Sequence, residues 1–137
     1  MSHRFGLLID PLIDNEDIEN LIIRSGMLDE PLNILDLTVS IVESYNHPRL
    51  GLCFDSGHAN ISPAGLSAVF DRMKENIVTC HLHDNDGIKD THSAPGHGNI
   101  DWPALMVKVL NIPRLIHLET ESREYSQTIW QVYERLL

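Results

Sequence analysis

Cysteine is nearly absent from this chain of 137 residues: only Cys53 and Cys80 occur, too few and too far apart for a disulfide framework. Each sits inside an apolar run, and both are expected as reduced, buried thiols. Positive charge is scarce as well. Ten Lys and Arg against twenty Asp and Glu leave a formal net charge of −10, which repels phosphate backbones and anionic membrane surfaces. Nucleic acid is therefore not favoured as a partner. Long hydrophobic runs are missing too: the opening MSHRFGLLIDPLID is broken by Asp10 and Pro11. With neither a signal peptide nor a membrane span visible, no membrane partner is expected and the expected location is cytoplasmic. No low-complexity linker divides the chain. No G-x-S-x-G elbow accompanies Ser56 and His58, which sets serine hydrolysis aside.

What is present is enough apolar material, 42% of the residues, for one real core, so residues 1–137 are read as a single domain. Short apolar runs at 5–9, 50–54, 77–82 and 115–118 predict strands. Helical patterns fill 31–45, 63–76, 102–110 and 125–137. In the first of these, Leu32, Leu35, Val39 and Val42 recur at threes and fours, the spacing of one buried face. Ser62 before Pro63, and Asp101 before Trp102 and Pro103, have the form of helix starts. Residues 14–30 suit a loop with a short helix. Strand and helix alternate four times, which predicts an α/β fold of four βα units, with parallel strands, right-handed crossovers and helices outside. An open doubly wound sheet and part of a barrel satisfy that order equally.

Polar residues collect at the strand ends. Asp10 closes the first run, Asp55 the second, His81-Leu82-His83-Asp84 the third and Glu119 the fourth. Ligands of parallel α/β folds bind outside the carboxyl ends of the strands, so these residues are expected to face one site. Alternation places His83 with His81, Cys53 with Asp55 and His117 with Glu119. Carboxylates and imidazoles converging in this way suit a divalent cation, Mn, Co, Zn or Mg, with positions open for substrate. Any one strand-end Asp or His has a cap or turn role as its structural alternative; three at consecutive strand ends favour ligation. His3 and His47 suit solvated positions, and His117 suits a core position. Gly96 and Gly98, in Pro95-Gly96-His97-Gly98, offer backbone N–H groups to a phosphate, on a short run.

Two long strings, NHPRLGLCFDSGHANIS from Asn46 and HLHDNDGIKDTHSAPGHGNIDW from His81, together with LIHLET from Leu115, resemble the sugar phosphate isomerase/epimerase family with its xylose isomerase-like TIM barrel. The apurinic endonucleases belong to the same superfamily. The resemblance spans residues 46–120 and implies that the four βα units form half of a (β/α)8 barrel, the C-terminal half. It implies that Asp55, His81 and Glu119 hold the metal, and that Glu119 also exchanges a substrate proton. His58 resembles a substrate-contacting histidine of the epimerases and a further ligand of the endonucleases. His83 joins it as a substrate-binding candidate, and Asp90 with His92 forms an Asp-x-His pair for an additional metal or the substrate. Two departures stand out. Where the family places a glutamate as ligand and acid/base, this chain has Asp10, one methylene shorter, as the catalytic candidate. His97 stands where relatives often have Gly-Glu-Gly.

A full barrel takes roughly 250 residues, and four strands cannot close one. Either the chain is part of a longer one, or two copies pair as a homodimer that completes a barrel, or the strands form an open sheet. The activity implied is that of a metal-dependent isomerase or epimerase of a small sugar or sugar phosphate, moving a proton next to a carbonyl through an enediolate. A multi-metal phosphoesterase like the apurinic endonucleases is the alternative, against which the charge of −10 argues. A partial, catalytically inactive barrel, serving as a binding or assembly module, is the third.

Overall fold

Helix α1 (Pro31–Tyr45) turns the buried side chains of Leu35, Val39 and Val42 toward the core, as its spacing predicts. It leads into β2 (Gly51–Asp55), every residue of which is buried. After β2 come α2 (Ser56–Ile61), α3 (Leu66–Met73), β3 (Ile77–Leu82), α4 (Trp102–Leu110), β4 (His117–Thr120) and α5 (Arg123–Glu134), while β1 (Leu7–Leu8) precedes α1. The structure is a computed structural model that describes residues 7–8 and 31–135. Asp10 and the segment 14–30 lie outside the described residues.

The sheet order is β1-β2-β3-β4, and β2, β3 and β4 run parallel. Helices connect them, as the alternation predicts. The first strand departs from the expectation: Leu7 and Leu8 pair with Leu52 and Gly51 in antiparallel sense. Two residues make too few ladder bonds for a distant crossover to dictate direction, and antiparallel bonds are the straighter ones. Phe54, Cys80 and Leu82 pack outward against Val69, Phe70, Leu105 and Met106 in one continuous core. Phe54 meets Phe70 edge to face, with ring centroids 5.0 Å apart, a geometry that adds about 1 kcal/mol to the area buried.

Several boundaries moved. The helix expected over 63–76 starts only at Leu66, because Ser62 closes α2 instead, its N–H donating to Ala59 O, and Gly65 at φ 80° makes the next start. The left-handed conformation at Gly65 is one that glycine adopts without steric cost. The last strand begins at His117 rather than at residue 115, and α5 begins at Arg123, where Ser122 Oγ accepts from Tyr125 N at 3.2 Å. Asp101 caps α4 as expected, accepting from Ala104 N at 3.1 Å. No helix among the described residues is long and apolar enough to cross a membrane.

Candidate functional site

Register aligns Asp55, His81 and Glu119 as neighbours across the ends of β2, β3 and β4. His81 joins the row: its Nδ1 is 3.8 Å from Asp55 Oδ2, and its Nε2 is 3.2 Å from Glu119 Oε2. Exposure climbs along it, from 9% at Asp55 to 47% at His81 and 60% at Glu119. Asp55 also caps α2, Oδ1 accepting from His58 N at 2.9 Å. One oxygen is thus committed to the helix while the other faces His58 Nδ1, 3.6 Å away, and His81. Burial alone would raise the Asp55 pKa, but the adjacent His83 ring and the His58 N–H outweigh it and hold the carboxyl below its ordinary value. Cys53, on the same strand, is pushed up to about 11, first by burial and then by the Asp55 charge. It stays a thiol at neutral pH, as does buried Cys80, raised to about 12 chiefly by burial.

A second group adjoins the row. His58 Nε2 lies 2.9 Å from Asp90 Oδ2 and His92 Nε2 lies 3.2 Å from the same oxygen. One ligand atom of each of these residues falls within 4.8 Å of the others, a spacing that suits one cation. His83 lies between the two groups, only 2% exposed, with Nε2 2.9 Å from Asp55 Oδ1 and Nδ1 3.8 Å from Asp90 Oδ1. The shorter approach is out of line for a hydrogen bond, so neither buried ring nitrogen has an aligned partner. Alternation alone implied an open His83; the ring instead lies beneath the site, stacked on His92 at 3.9 Å. Gly57 makes that position available, since a Cβ there would overlap the His83 ring.

The residues 85–101 that carry Asp90 and His92 are tied to the core by Asp84, expected to face the site with His81 and His83 but in fact a fully buried carboxylate. Its Oδ2 accepts from Trp102 Nε1 at 2.7 Å and Gly96 N at 2.9 Å; its Oδ1 accepts from Asn85 N at 2.9 Å and Ile100 N at 3.3 Å. The Gly96 N–H is therefore spent on Asp84, which takes one of the two donors expected to cradle a phosphate at Gly96 and Gly98. Charge-assisted bonds of this kind are worth roughly twice neutral ones. Asn85 extends the tie, donating to Gly57 O at 2.9 Å and accepting from Asn60 Nδ2 at 2.8 Å.

Other histidines are placed plainly. His47 is exposed in its turn as expected, and His97 is exposed too. His117, expected in the core, is also exposed. Glu121 was overlooked, though the alternation Glu119-Thr120-Glu121 carries the signal: its Oε1 sits 2.5 Å from His92 Nδ1. The two carboxylates, with His81, Leu82, His83 and Thr120, line a cavity of about 250 Å³. The donor set around it, carboxylate oxygens and imidazole nitrogens with two unaligned buried nitrogens beneath, fits a divalent cation.

A family profile described as xylose isomerase-like TIM barrel matches residues 18–134. An uncharacterized protein of Sinorhizobium fredii is 30% identical over 105 residues, which cover 75% of this chain and 34% of that protein. An uncharacterized protein of Methanocaldococcus jannaschii is 37% identical over 78 residues, 54% of this chain and 26% of that one. Among solved structures, the crystal structure of a D-tagatose 3-epimerase-like protein is similar with a TM-score of 0.57 and 26% identity, over 78% of this chain and 40% of that chain. The chain spans less than half the length of each of these proteins.

Proposed function

The chain belongs to the xylose isomerase-like TIM barrel family, and from that premise we propose that it carries the metal-binding row of an isomerase or epimerase acting on a small sugar or sugar phosphate. The observation that carries this reading is the alignment of Asp55, His81 and Glu119 across three parallel strand ends, with gaps of 3.8 and 3.2 Å at His81. Asp55, His81 and Glu119 would hold the ion, which when bound supplies Lewis-acid polarisation of a substrate carbonyl. Glu119, the most exposed member and at the cavity, is the base that takes the proton from the carbon next to that carbonyl. His81 Nε2 orients it. His58, held against Asp90 and beside Asp55, is the residue assigned to contact substrate hydroxyls. Asp10 is assigned the opposite acid/base role.

The test is proton exchange. The purified protein is stripped of metal, reloaded with Mn²⁺ and incubated in D₂O with a panel of ketoses and their phosphates. Deuterium is expected at the carbon next to the carbonyl in at least one of them, dependent on the metal and lost in Glu119→Gln. Metal-loaded protein that exchanges no proton in any of them contradicts the reading.

The phosphoesterase reading keeps one observation in its favour, the grouping of His58, Asp90 and His92. Incision of abasic-site DNA, lost in His92→Ala, would put it first; the charge of −10 opposes it. The assembly reading, including a homodimer that completes a barrel, draws on β4, the last strand of the described sheet, where Leu118 is 37% exposed and Ile116, just before the strand, 84%. Light scattering on the eluting protein decides it: a monomer removes the homodimer.

A further inference from the structure

Glu121 has no part in the roles given above, yet it holds His92 from the side opposite Asp90. We propose that Glu121 is a positioning residue: it accepts the Nδ1–H of His92 and so turns Nε2, with its lone pair, toward Asp90 and His58. This rests on the reading of His58, Asp90 and His92 as a second cation site. The ring is flanked on both nitrogens, Nδ1 by Glu121 Oε1 at 2.5 Å and Nε2 by Asp90 Oδ2 at 3.2 Å. With a cation bound, Nε2 and Asp90 are both donors to it. Nδ1 then carries the ring's one proton, and Glu121 is its acceptor. A carboxylate behind a ligating imidazole in this way fixes both the tautomer and the ring direction.

The bland alternative is an exposed surface ion pair, which contributes little. Three further observations separate Glu121 from that case. His92 has φ 48°, a left-handed backbone that residues other than glycine seldom adopt and that tends to mark functional positions. Its carbonyl accepts from Tyr125 Oη at 3.2 Å, so Glu121, just past β4, and Tyr125 of α5 grip the same residue at two points. Its ring also lies flat on buried His83, with an interplanar angle of 11°. His92 is thus held at its backbone, at its ring face and at Nδ1, leaving Nε2 directed at the cluster.

The experiment is titration of the metal-free full chain with Co²⁺, read by visible absorption and calorimetry, together with ¹⁵N NMR of the His92 ring. Wild type is expected to bind two ions, and His92→Ala to lose the second. Glu121→Ala weakens the second ion about 10–100-fold, leaves the first unchanged and abolishes the Nδ1-protonated signature of His92. Glu121→Gln, whose amide oxygen still accepts from Nδ1–H, restores most of that affinity. Circular dichroism confirms that each variant is folded. Unchanged second-ion affinity in Glu121→Ala overturns the proposal while leaving the cluster reading intact. Equal losses in the Ala and Gln variants also overturn it, because Glu121 then acts as a ligand or a bare charge. A wild type that takes no second ion, or a His92→Ala variant that keeps it, overturns the cluster reading and the proposal with it.

Discussion

Strands β2 and β4 each give one carboxylate to the same row, but they stand in opposite surroundings. β2 is buried along its whole length, and Asp55 is held at its end by a helix cap and by the His83 ring. β4 is exposed at three of its four residues, and Glu119 is steadied by His81 alone among the contacts described. One half of the row is therefore preset by folding and the other half is free to answer what binds. That division suits a site whose ligand oxygen must not move while its base must reach a substrate.

Breaking the buried side should have the largest effect. Asp84→Ala strands the N–H groups of Ile100 and Trp102 in the interior, frees that of Gly96, and is expected to cost about 3–5 kcal/mol, read as a lower urea midpoint. Matched truncations then sharpen the contrast between strands. Leu52→Ala in fully buried β2 is expected to lose about 2–5 kcal/mol, whereas Leu118→Ala in β4 stays below about 1 kcal/mol. Equal losses would erase the distinction. Gly57→Ala comes next: its new Cβ meets the His83 ring, so about 1–3 kcal/mol is expected, with a shifted His83 resonance in NMR.

The smallest effects are those of pH, and their signs differ. Asp55 has its pKa lowered on folding, so its contribution is present above the unfolded value of about 3.9 and is lost as pH falls through the lower folded value. Unfolding of the metal-free protein between neutral and strongly acid pH should therefore be flatter in Asp55→Asn. For His92, burial opposes the charge, but Glu121 and Asp90 outweigh it and raise the pKa. Its contribution is full below the unfolded value of about 6.5 and is lost as pH rises through the higher folded value. His92→Gln should remove that loss and leave the acid limb unchanged.

Much of this was legible in the chain. Strand ends at Asp55, His81 and Glu119 follow from short apolar runs and alternation, which are local properties, and Asp101 marks its helix by the same local logic. The direction of Leu7–Leu8 was not legible, because an edge pairing is decided by what lies beside it in space. Nor was the break between α2 and α3, since the pattern of residues 63–76 does not reveal that Gly65 adopts a positive φ. Glu121 and His92 are 29 residues apart, and only the fold brings the turn after β4 against the segment that carries His92. Asp84 was grouped with the site residues rather than read as a tie for a related reason: its partners Gly96, Ile100 and Trp102 are up to 18 residues away. Burial, not spacing, also separates His83 from His81, two residues that alternation treats alike.

The central claim is that Asp55, His81 and Glu119 share one cation. Crystals of the protein grown with Mn²⁺ and measured near the manganese absorption edge test it directly. The account predicts an anomalous peak about 2.0–2.3 Å from an oxygen of Asp55, a nitrogen of His81 and an oxygen of Glu119. An ordered row with no peak, or a peak that touches none of the three, would contradict it.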